Sequence, residues 1–508
     1  MLRFLIYGII PVCFMLFQAL SPASAQEATP NDVLEDPYRQ ILQQVEELKQ
    51  RMEEMTRQHE AEIQDLKSQL DLLRNIAEKN PPAPGGESSS DTQTAAGDDE
   101  TSLYETIRAK VKKPLEKDSL AKGLDLDASV VIDTFYYHDD TDEGMAHVKD
   151  EILGFGHSHG ADEDHHHSEV ENGFNLRHIE LGLSAAVDPF FRAWTTLAIE
   201  DGNSEIEEAV IQTTNLPYDC TLSGGKFLSG IGRINWQHSH NWDFFDQPLV
   251  YELMLGPHGL QEKGVQLTWL APAPFYLLFG AEALNGENEK MFQKVEAEEL
   301  TNKDGPRLWT GFVKFGPDLG PRHAMQMGIS YTNGYHQEAH DGDGDGSDDH
   351  WLKGRNDLWG ADLVYKFNAQ KAHGFGDFVL QGEYFYRKKD LEVAQHDLIQ
   401  ALTGRDRIDR QDGYYVQALY GFLPQWRGGL RWEEVGGRND MELPDLTDYS
   451  YKSSNRISAM IDWRLSEFSL LRAQAAHSDL ELEDGLEKAW ELILQWQVTF
   501  GEHAAHDF

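Results

Sequence analysis

The stretch HSHGADEDHHHSE, residues 157–169, sets five histidines and four carboxylates within thirteen positions. Neutral imidazole and carboxylate are good ligands for Zn2+ and related divalent ions. His157, His159, His165, His166 and His167 are therefore candidate metal ligands. A histidine-rich tract of low complexity predicts weak multivalent binding more readily than one defined site. A second acidic stretch, HDGDGDGSDDH at 340–350, opens like a calcium loop, with Asp341, Asp343 and Asp345 followed by Gly346. The bidentate Glu of a calcium loop belongs at the twelfth position, which here is Leu352. The expectation is a cation-attracting loop that takes up Ca2+ adventitiously. No GxSxG, HExxH, Walker or Cys–His pattern is present, and among 21 histidines a chance Ser/His/Asp set carries no information. The expectation is a protein that is not an enzyme and requires no cofactor, with Zn2+ as a weakly held ion.

What positions these residues follows from the texture of the 508-residue chain. Arg3, the apolar run Phe4–Leu20 and the small residues ending at Ala25 have the pattern of a cleaved secretory signal over 1–25. The mature chain then keeps only Cys220, so no internal disulfide is available. A formal charge of −43 argues against nucleic acid and for cations as partners. Aromatic residues at 11%, with 12 Trp and 18 Tyr, argue against a disordered acidic chain.

Residues 38–79 carry an apolar seam at Ile41, Val45, Leu48, Met52 and Met55, which resumes after a stutter at Ile63, Leu66, Leu70 and Leu73. That spacing predicts an oligomeric α-helical coiled coil about 60 Å long, in preference to a lone amphipathic helix. Residues 80–122 read as a flexible linker and a short mixed segment. From 123 to 508 the period becomes two. Ile179, Leu181, Leu183 and Ala185 share one face opposite His178, Glu180 and Ser184, and Trp490, Leu492, Leu494, Trp496, Val498 and Phe500 repeat the pattern at the end. Runs of 10–14 residues with aromatic ends predict an all-β transmembrane antiparallel β-barrel of about 16 strands, not a soluble sandwich. A barrel of that size encloses an aqueous lumen. Short connections at 188–189 and 423–425 read as periplasmic turns. The acidic stretches 138–173, 286–306, 334–355, 388–411 and 437–453 read as extracellular loops.

One block, residues 225–272, is only partly strand-like. It holds His238 and His240 in H-x-H spacing, Asp243 and Asp246, and Trp242 among further aromatics. Irregular backbone at membrane depth is tolerated where it lines water, and charges on such a segment set selectivity. His238, His240 and Asp243 are thus candidate metal ligands, and Asp246 and Trp242 candidate pore-lining residues. The run GKF…G.GRIN…H.HNWDFFDQPLV…LGPHGL…G in this block resembles a family of Gram-negative outer-membrane proteins described as porin-like or as zinc-regulated outer-membrane receptors. Its GKF element is similar to phosphate-selective porin-type barrels, and the ending FGEHAAHDF, with terminal Phe508, is similar to the family's ending. The resemblance covers about 123–508, and only the 225–272 block is specific. It implies a barrel and a link to zinc or another divalent metal, with His238, His240 and Asp243 as the residues concerned. From length and patterning neither the plug domain nor the roughly 22 strands of a TonB-dependent receptor are expected, and the acidity departs from an anion-selective pore.

The expectation is an outer-membrane channel of a Gram-negative bacterium, in contact with membrane lipid. It is homotrimeric through coiled coil and barrel and prefers small cationic solutes, with a role in zinc or divalent-metal uptake. The alternative is a structural anchor with an occluded barrel, whose periplasmic coiled coil tethers the envelope to peptidoglycan.

Overall fold

The computed structural model describes residues 126–142, 144–155, 170–200, 203–295, 297, 300, 305–340 and 348–501. The signal, coiled-coil and linker segments expected over 1–122 lie outside the described residues. So do His157, His159, His165, His166 and His167, the calcium-type residues Asp341, Asp343 and Asp345, and Phe508.

Seventeen strands follow one another along the chain: β1 (Leu126–Asp139), β2 (Gly173–Ala186), β3 (Phe191–Glu200), β4 (Asn203–Thr213), β5 (Cys220–Leu228), β6 (Gln261–Leu270), β7 (Tyr276–Leu284), β8 (Leu308–Gly316), β9 (His323–His340), β10 (His350–Phe367), β11 (Phe378–His396), β12 (Asp406–Leu423), β13 (Trp426–Glu442), β14 (Asp448–Ser450), β15 (Ser454–Ser466), β16 (Ser469–Leu482) and β17 (Gly485–Gly501). Each pairs antiparallel with its neighbour in sequence, and β1 pairs with both β2 and β17. The sheet is therefore closed. β14 pairs with the end of β13 at Asp440–Glu442 while β15 pairs with the rest of it, so β14 prolongs β15 and the wall has 16 strands. Among the described residues three short α-helices lie between strands: α1 (Met145–Asp150), α2 (Leu249–Leu255) and α3 (Glu289–Phe292).

Closure leaves no backbone edge in the lipid, and the alternation of side chains decides which face meets it. On β17, Trp490, Leu492, Leu494, Trp496 and Phe500 are exposed, whereas Ala489, Glu491, Ile493 and Gln495 are buried. On β15, Ile457, Ile461 and Leu465 face out, while Arg456, Ser458 and Asp462 are fully buried. Apolar outside and charged inside is the reverse of a soluble sheet and the arrangement that a bilayer requires. Aromatic rings collect towards both rims. At the short-turn end Trp426 stacks on Trp463 and Trp269 on Phe279. Towards the other end Tyr331, Trp359 and Tyr386 form a row across three strands. Leu430 lies on the outer face at 61% exposure, and Arg431, one residue on, faces inward at 1%. Leu430→Arg is expected to cost about 2–4 kcal/mol, because it places a charge in hydrocarbon. Urea titration of protein folded into lipid vesicles measures it.

Strand lengths differ from the sequence reading on one arc. Much of 334–355, 388–411 and 437–453, expected as loop, is strand, so β9 to β13 run 17–19 residues. The opposite arc, β3 to β8, has 9–11, about the length that crosses a membrane. The extra eight or so residues add roughly 25 Å of strand. Polar sequence is no bar to a strand above the lipid, where pairs such as Lys388–Asp390 and Arg410–Glu442 sit among ladder bonds.

Candidate functional site

The connection between β5 and β6, residues 229–260, folds into the lumen and bonds to inward-facing side chains around most of the wall. Asn235 clasps its two ends, donating to the carbonyls of Ser229 and Leu260 and accepting from Leu260 N. Glu282 of β7 accepts from Ser229 Oγ at 2.5 Å and Gly230 N at 2.9 Å. Glu383 of β11 accepts from Arg233 N, Ile234 N and the hydroxyls of Tyr251 and Tyr415, at 2.5–3.0 Å. Glu433 of β13 accepts from Leu249 N at 2.6 Å. All three carboxyl groups are buried, and a buried polar group is costly unless its hydrogen bonds are made.

Gly232 is required by this arrangement. Its φ of +58° lies in the left-handed region, and a Cβ there would sit 2.5 Å from a Glu383 carboxylate oxygen. Gly232→Ala is expected to destabilise the barrel interior by about 1–3 kcal/mol through strain and a displaced Glu383. A lower temperature for the heat-induced mobility shift on gels checks it.

The helix α2 then packs Leu249, Tyr251, Leu253, Met254 and Leu255 into an apolar cluster inside the barrel. Met145, Val148, Ile152 and Phe155, on and just after α1, join it, as do Met291 and Phe292 of α3. At about 1.5–3 kcal/mol for each fully buried large side chain, withdrawing this cluster costs far more than breaking a few polar contacts. The cluster anchors the segment inside the barrel through α2.

Between Trp242 and Gln247 the segment runs along an arginine-rich arc of the wall. Asp243 pairs with Arg427 at 2.5 Å, and Arg427 also holds Asp462 at 2.6 Å. Asp246 pairs with Arg431 at 2.7 Å and with Arg456, and accepts from Gln474 at 2.7 Å. Arg431 and Arg456 each have a further wall partner, Glu433 and Glu491, both at 2.8 Å. Burial works against the charge on Asp246, but Arg431 and Arg456 outweigh it and hold the carboxyl well below its ordinary range. Trp242 lies under the guanidinium of Arg177, donates from Nε1 to Gln237 O and presents its carbonyl to Arg472.

On another part of the wall the segment carries its two histidines. The turn Ser239–Asn241 stacks the rings of His238 and His240 with centroids 5.9 Å apart. His238 is held between Glu207 and Glu208 of β4, at 3.0 Å from each, and His240 Nδ1 meets Glu180 of β2 at 2.9 Å. Glu180, Glu207 and His238 place one ligand atom each within 4.8 Å of one another. Desolvation disfavours a charged His238, but the hydrogen bonds to Glu207 and Glu208 and the charge of Glu180 outweigh it, and its pKa lies well above the ordinary imidazole value.

The expected ligands fall at two separate places on the wall. Asp243 does not stand with His238 and His240, because Arg427 takes its carboxylate; Glu180 and Glu207 stand there instead. Asp246 likewise spends its charge on Arg431 and Arg456. The sequence signal for the glutamates was weak. Glu180 is one of several polar residues alternating with the apolar face of β2, and Glu207 and Glu208 are a pair in the short run NSEIEEAVIQT.

A closed 16-stranded antiparallel barrel, apolar outside and crossed inside by a folded-in segment, defines an outer-membrane protein of the porin-like class. The chain belongs to the same family as an uncharacterized protein of Aquifex aeolicus (strain VF5), 35% identical over 366 residues that make up 70% of this chain and 75% of the relative. No family model matches. Among solved structures it is similar to the outer membrane channel DcaP of Acinetobacter baumannii, at 12% identity, 74% of this chain, 97% of that chain and a TM-score of 0.47. It is also similar to the trimer form of OmpT from Vibrio cholerae, at 10%, 74%, 99% and 0.44, and to an anion-selective porin from Comamonas acidovorans, at 11%, 74%, 100% and 0.44.

Proposed function

We propose that this protein is a non-enzymatic outer-membrane channel for small solutes, narrow and cation-preferring, with divalent metal ions, Zn2+ among them, as cargo. The observation that supports the cation preference is the cluster of Glu180, Glu207 and Glu208 around His238 and His240 on the lumenal segment. Three carboxylates gathered on two imidazoles give this side of the lumen a surplus of acidic groups. The N/O donor set fits a borderline divalent ion, with Glu180, Glu207 and His238 as its holders. The low wall of β3 to β8 supports a homotrimer with that arc sheltered between subunits. The coiled coil expected at 38–79 would brace the trimer and reach towards peptidoglycan. Reversal potentials across a planar bilayer in a tenfold KCl gradient test the selectivity, and an anion-selective potential would overturn it.

The apolar cluster inside the lumen favours a second reading, a barrel occluded by its own segment and used as an anchor. Absence of single-channel current from folded protein would establish that reading against the first.

A further inference from the structure

A second group of ligating side chains lies away from the lumenal segment, where β9, β10 and β11 rise above the membrane. His340, His350 and His396 are direct cross-strand partners, with His350 opposite both others. The three rings stack in a row, with centroids 4.9 Å apart for His340–His350 and 4.8 Å for His350–His396. Asp349 accepts or shares a proton with His350 Nδ1 at 2.7 Å. Asp349, His350 and His396 bring one ligand atom each within 4.8 Å of one another.

A bulge creates this alignment. Trp351 pairs with Gln395 but Leu352 with Val393, so Ala394 is the extra residue. Without it Gln395 would stand opposite His350, and His396 would point to the other face of the sheet. Bulges re-aim side chains in this way, and here the result is three histidines on the face that continues the lumen wall. Three adjacent imidazoles suit neither a shared positive charge nor an apolar core. They suit a metal ion that accepts nitrogen donors. The backbone is tied at the same point, since Asp349 N donates to His340 O and Asp397 N to Asp349 O.

We propose that this corner of the rim binds a divalent transition-metal ion of the Zn2+, Ni2+ or Cu2+ kind, with His350, His396 and Asp349 as ligands and His340 beside them. Imidazole donors exclude Ca2+ and Mg2+ as the natural occupants. A bound ion cross-links the ends of β10 and β11 at the mouth of the barrel. The site is separate from His238 and stands or falls independently of the proposed transport function.

The test uses intact, folded protein and reads each histidine on its own. Diethylpyrocarbonate modification, mapped by peptide mass spectrometry, gives the reactivity of His350 and His396 as Zn2+ is added. Expected is at least fivefold protection of both residues with a shared midpoint, unchanged in His238→Ala and lost at His396 in His350→Gln. Undiminished reactivity of His396 at saturating Zn2+ in the parent protein overturns the site. Protection that survives His350→Gln, or that Ca2+ reproduces, does the same.

Discussion

Replacing Asp243 and Asp246 together by Asn is expected to raise single-channel conductance severalfold and move selectivity towards anions. Arg427, Arg431, Arg456, Arg464 and Arg472 share one arc of the interior, where Asp462, Glu433 and Glu491 are their partners from the wall. The two aspartates of the lumenal segment bring that arc to neutrality. Removing them leaves two positive charges uncompensated and loosens the stretch 242–247, which keeps its ties through Trp242 O and Phe245 N, while α2 stays seated in its apolar cluster. Losing one partner of a buried ion pair costs about 3–5 kcal/mol, so the arginines would draw water and mobile anions into the gap. Conductance and reversal potential in a planar bilayer measure both effects. A double variant with the parent's current and selectivity would show that these pairs neither hold the constriction nor set its charge.

The second large effect concerns His238. Zn2+ is expected to block the channel with a midpoint that tightens about tenfold per pH unit over the range in which His238 is protonated, because one proton must leave for each ion that binds. The direction follows from the raised pKa: the proton held between Glu207 and Glu208 competes with metal up to a higher pH than for a free imidazole. Above that pKa the pH dependence flattens. His238→Ala is expected to weaken block at least tenfold and abolish its pH dependence, and Glu207→Gln to weaken it while keeping the slope. Bilayer recordings between pH 5.5 and 8.5 settle the point. A midpoint that does not move with pH removes His238 from the metal site.

The barrel itself was legible because lipid and lumen impose opposite demands on alternate residues, as Ile457, Ala459 and Ile461 opposite Ser458 and Asp462 show. The strand number followed from the same alternation. Strand length did not, because above the membrane both faces meet water and the alternation fades; polar strands such as the ends of β11 and β12 then look like loops. The lumenal segment stood out through irregular, aromatic-rich sequence. Its partners were hidden, since Glu383, Glu433 and Arg431 lie 132 or more residues away along the chain. Net charge was silent in a related way. A chain at −43 nevertheless gathers five arginines on one interior arc, and composition carries no information about such segregation.

The ties of the lumenal segment also bear on how the barrel forms. Almost every strand pair is local in sequence, and the one distant pairing is β1 with β17, as in Asp133↔Gln497. Local pairings form early, and the distant one bears the entropy of closing the largest loop. The segment bonds to β2 and β4 on one side of that seam, through His240 and His238, and to β15, β16 and β17 on the other, through Asp246, Phe245 and His240. It therefore bridges that seam from within, and adds side-chain ties on both sides of a ladder whose partners are distant in sequence.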